Sequence, residues 1–211
     1  MQQPNLIIIA GCNGAGKSTY SESYVKGLIP FDFDKKFIKN YSSLKDSELR
    51  DVIANNMTSE QYINSIESAF IAKESFCYET NFNNQPLIWA TKAKKLGYRI
   101  ELLFFCLDNI ESAKKRVQYR TENKGHFVPE HIILERWKEG YKNLNRHFSF
   151  FDYILLIDNS SEDSTPIALF ELEKNESKKF TFRLFSDKIP EYSKRRFPKI
   201  FNLLNNENGY N

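Results

Sequence analysis

Leu6-Ile-Ile-Ile-Ala10 followed by Gly11-Cys-Asn-Gly-Ala-Gly16-Lys17-Ser18 decides how this chain folds. The first segment is a continuous apolar run bounded by Pro4 and Gly11, the pattern of a strand buried on both faces. The second fits GxxxxGK(S/T) and leads directly into a helical pattern, which is the setting a phosphate-binding loop requires. Small residues let backbone N–H groups curl round phosphate oxygens, and the helix N-terminus adds a dipole that favours negative charge. The expected nucleotide-binding residues are Gly11, Asn13, Gly14, Ala15, Gly16, Lys17, Ser18 and Thr19. Lys17 would bridge the β- and γ-phosphates and the Ser18 hydroxyl would ligate Mg²⁺, so ATP or GTP with Mg²⁺ is the expected cofactor. A glycine-rich turn that binds nothing would not need the flanking strand and helix.

Outward from this loop, the strand signature returns at Ser75–Tyr78, Arg99–Leu107 and Tyr153–Ile157. Helical patterns lie between, over Lys17–Lys26, Ser59–Lys73, Pro86–Lys95, Ile110–Glu122 and Pro129–Asn145. Strands alternating with helices of this length predict an α/β, three-layer P-loop NTPase fold with a mainly parallel sheet flanked by helices. In such sheets ligands bind at the carboxyl ends of the strands. From Asn159 the character changes to a turn-rich joint. Residues 167–175 and 178–185 then alternate like a hairpin, Tyr192–Leu204 reads as a Lys/Arg-rich helix, and an Asn-rich tail reads as disordered. The expected division is a P-loop kinase domain over residues 1–160 and a C-terminal appendage of hairpin, basic helix and flexible tail over 161–211.

Composition narrows the class further. A chain of 211 residues with 41% apolar and 15% aromatic residues can bury a substantial core. Thirty basic against 27 acidic residues leave a net charge of +3, too slight to call for a nucleic-acid or membrane partner. The three cysteines, Cys12, Cys77 and Cys106, have no zinc-site spacing and read as reduced core residues. The opening Met1-Gln-Gln-Pro4 carries no basic leader, and its apolar run is too short for a signal peptide or a membrane span. A cytoplasmic protein is expected.

A phosphate loop does not choose an acceptor, so other residues must. Phe31-Asp32-Phe33-Asp34 follows the first helix where a second strand would end, and one carboxylate there can accept the proton of an attacking hydroxyl. A surface turn fits the same four residues. Glu79-Thr80-Asn81 follows its strand in like manner: a carboxylate there can hold Mg²⁺ through water or grip a substrate hydroxyl, while a helix cap by Thr80 or Asn81 is the plain alternative. Arg116 and Arg120 stand one helical turn apart, Lys124, Gly125 and His126 follow in a loop, Pro129 suits the start of a new helix, and Arg136 lies on it. Closed over the phosphates, that helix, loop and helix would stabilise the charge that spreads during transfer; a solvated basic face accounts for the spacing alone more simply.

In chain order, AGCNGAGKST, FDFD, CYETNF, KKLGYRIELLFFCL, RVxxRxxxxGHxVPExxIxxRW and YILLIDNS resemble the zeta-toxin-like P-loop kinases, in a branch with a GHxVPE lid segment, across residues 5–160. The resemblance implies a kinase of a toxin–antitoxin system that phosphorylates the 3′-hydroxyl of the sugar in UDP-N-acetylglucosamine. It would make Lys17 and Ser18 the phosphate and Mg²⁺ residues, Asp34 the general base, and Arg120 and Arg136 the arginines facing the phosphates. Asp32, Glu79 and Thr80 would fall on the substrate side. The implied partners are a small-molecule acceptor such as a nucleotide sugar and a protein antitoxin. After Glu79 this chain has TNFNN, where the toxins acting on the nucleotide sugar have EGT followed by Arg. His126 would touch a ligand or cap the lid helix, with the cap preferred. Two other readings compete: a regulatory NTP-binding module whose partner is a protein, and a nucleic-acid end kinase resting on Lys194, Arg195 and Arg196, beside which no aromatic stacking motif stands.

Overall fold

The chain is described by a computed structural model over residues 3–25, 27–122, 127–161, 164–185 and 189–207. Four parallel strands, β1 (Asn5–Ala10), β2 (Phe76–Thr80), β3 (Arg99–Cys106) and β4 (Tyr153–Asp158), stand in the order β2-β1-β3-β4. The hairpin of β5 (Ile167–Lys174) and β6 (Phe180–Leu184) continues the same sheet in antiparallel pairing. Leu6, Ile8 and Ile9 of β1, and Ile100 and Leu102 of β3, are fully buried, as an apolar run covered on both faces requires.

Helices α1 (Lys17–Tyr24), α2 (Phe33–Ser43), α3 (Arg50–Ala72), α4 (Ile88–Lys95), α5 (Ile110–Glu122) and α6 (Glu130–His147) connect the parallel strands. As expected, Pro129 stands at the start of α6, where its missing N–H costs nothing. Two stretches differ from the sequence expectation. Residues 33–43 form a helix where none was expected, and α3 begins at Arg50 rather than Ser59. Their pairing is polar, and so invisible to apolar periodicity: buried Asn40 donates to Thr58 Oγ1 at 2.9 Å and Gln61 Oε1 at 3.2 Å, and Arg50 lies 4.1 Å from the Tyr41 ring centroid.

FDFD does not end a second strand. Phe31 alone forms a parallel bridge with Tyr78, its N–H donating to the Cys77 carbonyl and its carbonyl accepting from Glu79 N. Asp32 then caps α2 by accepting from Lys35 N at 3.0 Å, which turns the chain away from the sheet edge.

The basic stretch near the C-terminus is two helices, α7 (Glu191–Arg196) and α8 (Pro198–Glu207), interrupted at Phe197 because a residue before proline avoids the helical region. Phe197 is fully buried, with ring centroids 6.0 Å from Phe104 and 5.4 Å from Tyr141. Arg196 stacks over Trp137 at 4.5 Å and Tyr141 at 4.7 Å and donates to the Leu107 and Asp108 carbonyls. One of the three charges on which a nucleic-acid contact would rest is therefore internal packing. The Asn-rich tail beyond residue 207 lies outside the described residues.

All three cysteines are buried and unpaired, and burial pushes the Cys12 thiol up to about 11. Among the described residues no helix is long and apolar enough to cross a membrane.

Candidate active site

The loop between β1 and α1 is shaped by glycines at positions where side chains have no room. Gly14 has φ +79° and a Cβ there would meet the Ala113 carbonyl at 2.6 Å. Gly16 has φ +91° and a Cβ would meet Asn159 Nδ2 at 2.2 Å. Asn159 Nδ2 donates to the Ala15 carbonyl at 2.9 Å, tying the loop to the carboxyl end of β4. Arg116 clips the same corner, donating to the carbonyls of Asn159 at 2.9 Å and Ser161 at 3.1 Å. Lys17 curls back over its own loop, its Nζ 2.8 Å from the Gly11 carbonyl and 3.1 Å from that of Cys12.

Facing the loop is a set of acidic groups from the neighbouring strand end. Glu79 accepts from Ser18 Oγ at 2.7 Å and from Ser21 Oγ at 3.1 Å. Burial raises its pKa above the ordinary carboxylate value; the Lys17 charge and the two serine hydrogen bonds oppose this, and the Asp32 charge adds to it. Thr80 Oγ1 accepts from Phe82 N at 3.0 Å and shapes the turn that follows.

Two arginines approach from α5 and α6. Arg136 donates to Asn13 Oδ1 of the loop at 2.9 Å. Arg120 Nη2 lies 4.0 Å from Asp34 Oδ2, close enough for a charge pair but too long for a hydrogen bond. Its Nε and Nη2 are buried with no hydrogen-bond partner among the described residues. A guanidinium with two dry, unanswered donors beside a phosphate loop is built to receive oxygen atoms.

One cavity of about 1090 Å³ holds these groups together. That is at the top of the range of roughly 300–1,000 Å³ for single-ligand sites, so a donor and an acceptor fit side by side. Of the residues singled out in the sequence, Asn13, Gly14, Gly16, Lys17, Ser18 and Thr19 line it from the loop. Asp32, Asp34, Glu79, Thr80, Arg120 and Arg136 line it from the other elements. Gly11 and Ala15 stay buried behind the loop. Lys124, Gly125 and His126 lie outside the described residues. Sequence reasoning missed Asn159, Tyr62 and Trp89, which also line the cavity, and weighed Asn81, another lining residue, only as a helix cap. Asn159 could have been found by its place just past β4; an aromatic inside a helix, such as Tyr62 or Trp89, gives no such signal.

Among the described residues no three His, Cys, Asp or Glu side chains gather into a self-sufficient metal site. The hard oxygens of Ser18 and Glu79 would suit Mg²⁺ bound together with phosphate oxygens.

A mainly parallel sheet whose first strand runs through this loop into a helix, with a lysine, a serine and two arginines round one cavity, defines a P-loop module of the kinase type. The zeta toxin family profile matches residues 1–164, and the chain belongs to that family. It is similar to an uncharacterised protein of Haemophilus influenzae, with 25% identity over 138 residues, covering 65% of this chain and 95% of that one. Among solved structures it is similar to the PezAT chromosomal toxin–antitoxin system of Streptococcus pneumoniae, with TM-score 0.59 and 15% identity over 98% of this chain and 88% of that one. A chain of the Pnkp1/Rnl/Hen1 RNA repair complex matches with TM-score 0.55 and 17% identity over 80% of this chain, which spans 49% of that longer one. At these identities the structural likenesses speak for the fold.

Proposed function

We propose that the protein is a phosphotransferase that moves the γ-phosphate of ATP or GTP, with Mg²⁺, to a hydroxyl of a small sugar-containing acceptor. UDP-N-acetylglucosamine is the acceptor that the family likeness puts first. The observation that carries the reading is Arg120, whose buried, unsatisfied Nε and Nη2 sit beside the Asp34 carboxylate opposite the phosphate loop. In this reading the acceptor oxygen attacks the γ-phosphorus, the bond to the β-phosphate oxygen breaks, and the hydroxyl proton passes to Asp34. Lys17 leaves the Gly11 and Cys12 carbonyls for the β- and γ-phosphates, while Arg120 and Arg136 offset the charge on the transferring group. Ser18, with Glu79 acting through water, would hold Mg²⁺, which supplies charge neutralisation at the phosphates. Asp32 and Thr80 would lie at the acceptor. ADP or GDP release that depends on an added acceptor tests the assignment, and Asp34→Asn should slow it about 10²–10⁴-fold with nucleotide affinity retained. Acceptor phosphorylation at the wild-type rate in Asp34→Asn would remove Asp34 as the base.

A protein antitoxin as partner is a second reading, favoured by the fold likeness to the PezAT toxin–antitoxin system over 98% of the chain. It expects growth arrest on expression that Lys17→Ala abolishes and a co-expressed neighbouring small reading frame relieves. Normal growth under strong expression of the folded protein would count against it.

A further inference from the structure

Two helices bring arginines to the cavity, α5 with Arg116 and Arg120 and α6 with Arg136, and both are fastened at the end of β3. Only Leu107, Asp108 and Asn109 separate β3 from α5. Asn109 Oδ1 accepts from Ser112 N at 2.9 Å and so caps the helix, while Asp108 N donates to Ser160 Oγ at 2.8 Å. From α6, the Tyr141 hydroxyl accepts from Leu107 N and donates to the Leu107 carbonyl, both at 3.0 Å. Arg196 of α7 closes the arrangement. Its guanidinium donates to the Leu107 and Asp108 carbonyls and lies over Trp137, Tyr141 and Tyr192, at 4.5, 4.7 and 4.9 Å from their ring centroids. The Tyr192 hydroxyl meets Cys106 Sγ at 3.3 Å and Ser160 Oγ at 3.4 Å, which ties α7 to the ends of β3 and β4 together.

Position at this point is passed on to the phosphate side. Trp137 follows Arg136 directly, and with Tyr141 one turn on it forms the face of α6 that Arg196 holds. Helix α5 lies against the loop itself, since a Cβ at Gly14 would meet the Ala113 carbonyl at 2.6 Å. A rotation of α6 or a slide of α5 therefore moves Arg136 off Asn13 and Arg120 off Asp34. Apolar burial, supplied next door by Phe197, is non-directional; charge-assisted bonds to two carbonyls set an angle. We propose that Arg196 is a positioning residue for phosphate transfer, a clamp from the C-terminal stretch that holds Arg120 and Arg136 where the transferring group meets them. What the two arginines grip rests on the kinase reading; the clamp itself rests on the contacts at Leu107 and Asp108.

Binding of Mg²⁺–ADP with aluminium fluoride, a stand-in for the transferring phosphoryl group, is compared with binding of Mg²⁺–ADP alone by calorimetry. Arg196→Met keeps an unbranched stem against the rings and removes the donors. It is expected to weaken the fluoride complex about 10–10²-fold and Mg²⁺–ADP less than about twofold. Arg196→Lys keeps the charge without the paired donors and is expected to lose nearly as much, so it carries the test should Arg196→Met fail to fold. Combined with Arg136→Ala, the loss should fall short of the product of the separate losses by at least about threefold, a coupling that a merely structural role would not give. Ile200→Val, a buried change on α8, is the control for stability lost away from the clamp: Tm falls and both affinities stand. Equal weakening of both ligands, full retention in Arg196→Lys, losses that multiply, or the same pattern in Ile200→Val overturns the proposal. Wild type that holds the fluoride complex no more tightly than Mg²⁺–ADP overturns it too. Labelled γ-phosphate transfer separates the two levels. Selective loss of the fluoride complex in the Arg196 variants of a protein that phosphorylates no acceptor sustains the clamp and removes the kinase. Acceptor phosphorylation by Arg196→Met at the wild-type rate removes the clamp and leaves the kinase standing.

Discussion

On the loop side of the cavity, position is set by backbone: Gly14 and Gly16 hold positive φ with no room for a Cβ, and Asn159 fastens the loop through the Ala15 carbonyl while Arg116 holds the Asn159 carbonyl in turn. On the β2 side it is set by side chains brought from three separate segments, Tyr62 on α3, Tyr78 on β2 and Trp89 on α4, touching edge to face. A backbone cradle is specific to phosphate and tolerant of little change, because moving one amide moves them all. A wall of side chains depends on packing between segments, and two of its rings, Phe31 and Tyr78, are part of the buried core.

Arg120 is the residue that joins the halves, since its helix follows β3 while its guanidinium meets Asp34. Arg120→Ala should therefore give the largest loss, about 10³-fold or more in single-turnover transfer, with the nucleotide dissociation constant little changed. Arg120→Lys should not restore the rate, because an ammonium cannot present the two buried donors in one plane. A loss confined to nucleotide affinity would place Arg120 wholly on the loop side.

Gly16→Ala attacks the backbone half alone. A methyl group there forces out Asn159 Nδ2, which it would meet at 2.2 Å, in a conformation that alanine resists. Strain of this kind costs about 1–3 kcal/mol, to be read as a fall in denaturant midpoint together with lost nucleotide binding. Unchanged values in both would mean that the loop is held less rigidly than the Asn159 contact requires.

The same contrast decides what could be read from the chain beforehand. The loop side was legible because its geometry demands particular residue types at fixed spacing, from Gly11 to Ser18, directly after an apolar run. The four parallel strands and the hairpin were legible for a similar reason, as each is an uninterrupted or alternating apolar segment. Helix α2 and the first part of α3 were not, since Asn40, Thr58 and Gln61 pair them by buried hydrogen bonds and leave little apolar period. Asp34 and Glu79, both of which line the cavity, were singled out by their places after β-type segments, though FDFD contributes one bridging residue at Phe31 and not a strand. Tyr62 and Trp89 acquire their meaning only from contacts between segments distant in the chain, and no local pattern announces them.

The smallest expected effect concerns Glu79, at the seam between the halves. Burial lifts its pKa above the ordinary carboxylate value, so the fold favours the protonated form. The stability this group contributes is complete below its unfolded value of about 4.3 and is lost as pH rises through the raised folded value. Glu79→Gln removes that dependence. Relative to the variant, the nucleotide-free wild type should lose a little thermal stability as the pH rises above the ordinary carboxylate range, the loss staying small because the Lys17 charge and the serine hydrogen bonds oppose the burial. A difference in Tm that does not change with pH would show a carboxylate already at ease beside Ser18. In that case Glu79 belongs to the loop side, and the boundary between the two sides lies farther out, at the Asn81 turn.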